Sequence, residues 1–309
     1  MKKLAGCILI FCLFGLRGFS QVMPVYSQYM LNGLAINPAF SGSSEALSTS
    51  LIYRKQWIGI DGAPESETFS AHSPLKNDKI ALGLLIFNEK YGVTNNSSLY
   101  GNYAFRIKMG KGKLALGIKA GVDLYHTNWN EVDANEGGDL VFTQAPTRYV
   151  LPNVGTGTYY QDSKFYFGLS IPTLLSYRTK DYGKGFEAYH DFSNYMLMLT
   201  SGYLIGSGQD FKIRPSLLMR YYHKKAQIDL NNTFLLCRDH LWLGFSYRIN
   251  EAMVALVQAK LSDQLTLGYS YDYTLGNINK FNNGSHEIML RYEFGYKINA
   301  INPKFLSEK

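Results

Sequence analysis

The densest run of chemically capable side chains lies between Asp61 and His72, with Ser66 and Ser70 between them. An acid, a hydroxyl and an imidazole are the parts of an acyl-transfer triad. Such a triad needs the nucleophile bonded to the base and the acid orienting the base from behind. A period of two along 65–73 puts Ser70 and His72 on one face of a strand, with no strand-to-helix elbow to expose a nucleophile. Asp61-Gly62 followed by Pro64 is turn chemistry, the glycine permitting positive φ. The stretch therefore reads better as a hairpin than as a hydrolase centre.

Other candidate chemistry is weaker. Asp133-Ala-Asn-Glu-Gly-Gly-Asp139 places oxygen ligands at alternate positions, but Gln144 stands where a calcium loop needs a closing acid, so it reads as a polar surface loop. The six histidines show no paired metal spacing. Gly155-Thr-Gly157 lacks the following helix of a phosphate cradle and reads as close strand packing or a bend. Trp57, Trp129 and Trp242 are expected at a membrane interface or in loops rather than around a cofactor. Neither a cofactor nor a metal is expected.

The elements that position these residues begin after residue 20. Lys2 and Lys3 precede the apolar run 4–16, and Gly18-Phe19-Ser20 precedes Gln21, the order of a secretory signal cleaved near Ser20/Gln21. Leu4-Ala5-Gly6-Cys7 spells a lipid-attachment box, but it opens the apolar run instead of ending it. Without residues 1–20, Cys237 is the one remaining cysteine, which excludes an internal disulfide framework. Of 31 basic residues, Lys2, Lys3 and Arg17 leave with the signal. The remaining 28 against 24 acids give a charge of +4, with no basic block to suit nucleic acid.

Beyond the signal, no apolar stretch is long enough for a transmembrane helix. Alternation is the stronger signal. Leu114, Leu116, Ile118, Ala120, Val122 and Leu124 share one face of a strand, and Lys119, Gly121 and Asp123 the other. Likewise Leu265, Leu267, Tyr269, Tyr271 and Tyr273 oppose Thr266, Gly268, Ser270 and Asp272. The strands are longer than the ~5–6 residues usual in sandwiches, and tyrosines collect at the ends of the apolar rows. About fourteen strands are expected: 46–58, 65–73, 79–88, 95–108, 113–126, 151–161, 164–171, 192–205, 210–222, 226–237, 240–249, 252–261, 264–274 and 285–297. Short connections alternate with long ones at 127–150, 172–191 and 275–284. This is the pattern of an all-β, outer-membrane antiparallel β-barrel, with apolar residues facing lipid and glycine, serine and charges facing inward.

The chain also resembles the PorP/SprF family of outer-membrane barrels in the type IX secretion and gliding machinery of Bacteroidetes. The resemblance rests on Tyr26-Ser-Gln-Tyr29, Ile36-Asn-Pro-Ala-Phe-Ser-Gly-Ser43, Arg54-Lys-Gln-Trp57 through Asp61-Gly-Ala-Pro64, Pro152-Asn-Val-Gly-Thr-Gly157, Gly268-Tyr-Ser-Tyr-Asp272 and Gly284-Ser-His-Glu-Ile288. It implies a non-enzymatic role in the cell outer membrane, namely binding and anchoring, or helping to export, a secreted surface protein such as an adhesin through its C-terminal signal domain. It also implies contact with other secretion and gliding components, besides membrane lipids. The rival readings are a passive porin and, behind it, an outer-membrane lipid hydrolase. The expected organisation is a signal peptide at 1–20, a luminal or periplasmic segment at 21–43, a barrel over 44–297 and a tail at 298–309. For partner contact the aromatic and polar outer loops are expected to supply Trp57, Asp61, Pro64, Trp129, Tyr149, Tyr177, Tyr182, Phe186 and Phe281.

Overall fold

A computed structural model describes residues 26–75, 78–128, 147–180, 185–189, 191–206, 208 and 210–295. Sixteen strands follow in chain order: β1 (Leu47–Lys55), β2 (Glu65–Pro74), β3 (Ile80–Tyr91), β4 (Thr94–Met109), β5 (Gly112–Thr127), β6 (Thr147–Gln161), β7 (Phe165–Ile171), β8 (Ser176–Lys180), β9 (Gly185–Tyr189), β10 (Leu197–Tyr203), β11 (Phe211–Tyr222), β12 (Lys225–Leu236), β13 (Leu241–Arg248), β14 (Ala252–Lys260), β15 (Leu265–Thr274) and β16 (Ser285–Phe294). All but β8 and β9 form one closed barrel of fourteen strands, each antiparallel to the next. Closure is made by β1, which pairs with β2 on one side and β16 on the other, from Leu47 opposite Phe294 to Lys55 opposite His286. No strand edge is left unpaired by its position in the sheet, which is what a sheet needs in hydrocarbon.

The period of two decides which side chains meet lipid. On β5, Leu116 is 46% and Ile118 60% exposed, while Lys119 between them and Ala120 is 4% exposed. Tyr53, Tyr91, Tyr221, Tyr247 and Tyr273 are exposed at the ends of odd-numbered strands, all at the same rim. Phenol rings there have the amphipathic character of an interfacial girdle. Connections at the opposite rim are short, so by the outer-membrane rule that turn rim faces the periplasm and the tyrosine rim, with the long loops, faces outward.

The core of the molecule lies in the lumen. Residues 26–45 are buried without interruption and run inside the barrel. Leu34, Ala39 and Phe40 pack on Ala115 and Tyr159. Tyr26, Tyr29, Met30, Leu31 and Ile36 join inward residues including Ile52, Leu85, Met198, Leu218 and Met289. Its two 3-10 turns, Gly33–Ala35 and Pro38–Phe40, follow from local chemistry. Asn37 Oδ1 accepts from Ala39 N at 2.9 Å, and Pro38 takes the first position, where no amide donor is needed.

Three local expectations are revised. The first strand ends at Lys55 rather than at 58, because Trp57 takes a left-handed φ of 44° and breaks the ladder. The loop after β7 contains the hairpin β8–β9, whose five-residue strands are too short for alternation to register. Trp242 does not sit at an interface or in a loop. It is buried in the lumen, with Nε1 donating to Asp239 O at 2.8 Å and the Arg214 guanidinium 4.8 Å from its ring. The expected leader, the C-terminal tail and the loop Asp133–Asp139 lie outside the described residues.

Candidate functional site

Inside the barrel, six charged side chains from six strands meet near the start of the luminal segment. Arg54 (β1) reaches Asp272 (β15) at 2.7 Å and Glu287 (β16) at 3.2 Å. Arg248 (β13) reaches Asp272 at 3.3 Å and Asp229 (β12) at 3.2 Å, and Arg220 (β11) reaches Asp229 at 3.1 Å. Three guanidinium groups face three buried carboxylates, and Glu251 reaches Arg248 at 3.6 Å from the rim. Buried ions of this kind persist only when their remaining lone pairs and protons find partners. The luminal segment supplies several. Ser27 N and Gln28 N each donate to a Glu287 oxygen at 2.9 Å, and Ser27 Oγ donates to Asp272 at 2.7 Å and accepts from Arg54 Nη1 at 3.0 Å.

Shape holds the segment as well as charge. A Cβ on Gly268 would lie 2.1 Å from Gln28 Oε1, and one on Gly157 would lie 2.2 Å from Asn37 Oδ1. Both positions need glycine because the luminal segment passes against the strand. Ser70 and His72 act here too. Ser70 Oγ donates to Asn32 Oδ1 at 2.8 Å and shares a 2.7 Å bond with Ser50 Oγ, while His72 Nδ1 accepts from Gly42 N at 3.1 Å. The two side chains seat the segment, and Asp61 stands exposed in a loop away from both.

At the turn rim, Glu45 pairs with Arg106 and Lys113, and both cations also pair with Asp78 in the β2–β3 turn. Burial raises the Glu45 carboxyl above its ordinary value against the pull of Arg106 and Lys113. At the half-exposed Asp78 a similar desolvation is outweighed by Lys113 and Arg106, which hold its carboxyl below the ordinary value.

At the loop rim, residues 56–64 are fixed on both sides. Ile58 N donates to Gly284 O at 2.9 Å, Asn283 N to Ile58 O at 2.7 Å, and Gly92 N to Gly62 O at 2.8 Å. Further round, β4, β5 and β6 rise beyond the ~9–11 residues needed to span a bilayer. The chain leaving β7 folds back on β6, with Leu174 N donating to Val154 O at 2.8 Å and Leu175 N to Asn153 Oδ1 at 3.1 Å. Below this turn a cavity of about 450 Å³ opens, walled by Tyr100, Tyr125 and Tyr177 and floored in part by Tyr26 and Ala35 of the luminal segment.

The loop residues expected to meet a partner fall into two groups. Trp57, Asp61 and Pro64 lie in the fixed 56–64 loop, where Trp57 N donates to Ser285 Oγ at 3.1 Å and Asp61 is exposed. Phe281, 71% exposed, ends the short turn Asn277–Phe281 beside them, with its carbonyl near Gly59. Tyr149, opposite Tyr125, and Tyr177, whose hydroxyl donates to Pro152 O, belong to the cavity side, with Phe186 opposite Thr179 in the hairpin. Trp129 and Tyr182 lie outside the described residues. The ionic cluster was missed as a site. Its signal was nonetheless in the sequence: Ser27, Arg54, Asp272 and Glu287 each fall in a different motif of the family resemblance, and those motifs converge here.

A closed antiparallel cylinder with an apolar outer belt, a tyrosine girdle and an ion-paired interior is an outer-membrane β-barrel. The chain belongs to the PorP/SprF family of type IX secretion system membrane proteins, whose family model matches residues 18–292. Among solved structures it is similar to the outer membrane protein Omp33 of Acinetobacter baumannii, at 7% identity over 81% of this chain and 100% of that one, with a TM-score of 0.48. It is also similar to the monoaromatic hydrocarbon channel CymD, at 10% identity over 90% and 96%, with a TM-score of 0.47. No curated protein matches the chain.

Proposed function

We propose that this barrel binds one secreted surface protein, an adhesin or similar type IX cargo, through the cargo's C-terminal signal domain, and anchors it or aids its export. The barrel is non-enzymatic in this reading and contacts other secretion and gliding components, after a leader is removed near Ser20/Gln21. The observation that carries the reading is the filled lumen. Residues 26–45, locked to the barrel wall by the Arg54 cluster, occupy the route a diffusing solute would take, which favours recognition over passive transport. The fixed loop rim then provides a surface for Trp57, Asp61, Pro64, Tyr149, Tyr177, Phe186 and Phe281, and Trp129 and Tyr182 belong to the same proposed contact set. Affinity purification of the native barrel from secreting cells tests it. A secreted protein is expected to co-purify, and recovery of the barrel without one would count against the reading.

A further inference from the structure

Two charged side chains in the loop-rim cavity make no hydrogen bond or ion pair with any described residue. Lys119 is 4% exposed and makes no hydrogen bond or ion pair with any described residue. Its ammonium rests 3.9 Å from the centre of the Tyr100 ring. Asp123, the nearest carboxylate along β5, is occupied by Tyr100 Oη at 2.7 Å and Ser98 Oγ at 2.6 Å. Glu89 also lines the cavity without a partner among the described residues. Asp123 is the nearby anion but takes its hydrogen bonds from hydroxyls, so the buried ammonium keeps its donors unfilled, which is costly and points to a ligand that accepts from it.

Register fixes the order of these charges. Glu89 lies opposite Asn96, and Lys119 opposite Asn102, so six residues of β4 separate their levels. At about 3.3 Å per residue that is roughly 20 Å along the strand. The cavity is thus a well with a cation deep inside, tyrosines along its wall and an acid towards the outer mouth. The luminal segment blocks the way below, so a ligand enters from outside. Charge count selects its class. One cation faces two carboxylates, an arrangement that repels phosphates and polyanions but accepts a single carboxylate carried on a neutral or basic body.

We infer that this well receives the free C-terminal end of an extended peptide, its α-carboxylate on Lys119 and a basic or neutral residue near Glu89. The inference rests on the cargo-binding reading and names the part of the cargo that enters the barrel. Cation–π contact holds the ammonium in place in the absence of the anion, and the tyrosine and asparagine groups around the well can bond the peptide backbone.

The test uses the full-length barrel, immobilised in detergent, and a pool of randomised hexapeptides in free-acid and C-terminally amidated forms, with retained peptides identified by mass spectrometry. Free acids are expected to be retained over amides by about tenfold or more, as for loss of one charged contact. Lys119→Met is expected to abolish that preference and Lys119→Arg to keep part of it, with heat-modifiable gel migration confirming that each variant is folded. Equal retention of acids and amides by the native barrel would overturn the inference, as would a preference that survives in folded Lys119→Met. Retention of acidic amides as strong as that of free acids would overturn it in favour of side-chain recognition. Cargo that still co-purifies with a Lys119→Met barrel, while the peptide preference is absent from the native one, would sink the inference alone. Absence of cargo from the native barrel would sink the reading beneath it.

Discussion

Arg54 and Asp272 stand 218 residues apart in the chain and 2.7 Å apart in the barrel, each 2% exposed. The pair bridges β1 and β15 across β16, and Ser27 of the luminal segment binds both. Wall and filling therefore share one buried ionic cluster, and perturbing either is expected to disturb the other.

Asp272→Asn leaves Arg54 and Arg248 short of a carboxylate in a buried site. Removing one partner of such a pair costs about 3–5 kcal/mol. Denaturant unfolding of the folded barrel in detergent should show a loss of that order. A loss under about 1 kcal/mol would mean that the cluster is well solvated.

The luminal segment is expected to seal the barrel. In a planar bilayer, the native chain should give no steady ion conductance, whereas a chain lacking residues 21–43 should conduct in discrete steps. Equal conductance from both would show that residues 26–45 do not form the barrier.

Gly268→Leu places side-chain atoms where Gln28 lies and should displace the segment, making peptide bonds around Tyr26–Tyr29 accessible to protease. Gly101→Leu is the matched control. It faces outward, its nearest neighbour is a carbonyl 3.9 Å from the new Cβ, and it should leave protection unchanged.

Ser70→Ala and His72→Ala should leave lipid turnover at the background of the native protein. Each instead removes a hydrogen bond to the segment, of the ~1 kcal/mol class, and should speed amide exchange around Asn32 and Gly42 respectively. A hydrolytic activity abolished by either change would restore the triad reading.

The turn-rim tether has two pH limbs. Asp78 is held below its ordinary value, so its contribution is present above the usual carboxylate range and lost as pH falls through the lowered value. Glu45 is raised, so its contribution is complete below the usual range and fades as pH rises through the raised value. Stability against denaturant should therefore peak within the ordinary carboxylate range and fall on either side of it. Asp78→Asn should remove the acid limb and Glu45→Gln the alkaline one, and a profile unaltered by either would exclude the tether from the pH response.

Alternation made the wall legible. Leu116, Ile118 and Lys119 announce which side of β5 meets lipid because a strand turns its side chains over every residue, a rule that needs no knowledge of the partner strand. Strand number, the order of short and long connections and the family were readable for the same reason, being carried by local pattern and quoted motifs. The sequence left open whether the segment before β1 lies in the lumen or along the periplasmic face, since residues 26–45 have no period and their burial depends on what surrounds them. Closure of the barrel decided it. Only when β1 pairs with β16 do Arg54, Asp272 and Glu287 converge, and only then do Gly157 and Gly268 leave the hollows that Asn37 and Gln28 fill. Contacts spanning more than 200 residues depend on the register of every intervening strand pair, which no short stretch of the chain encodes by itself.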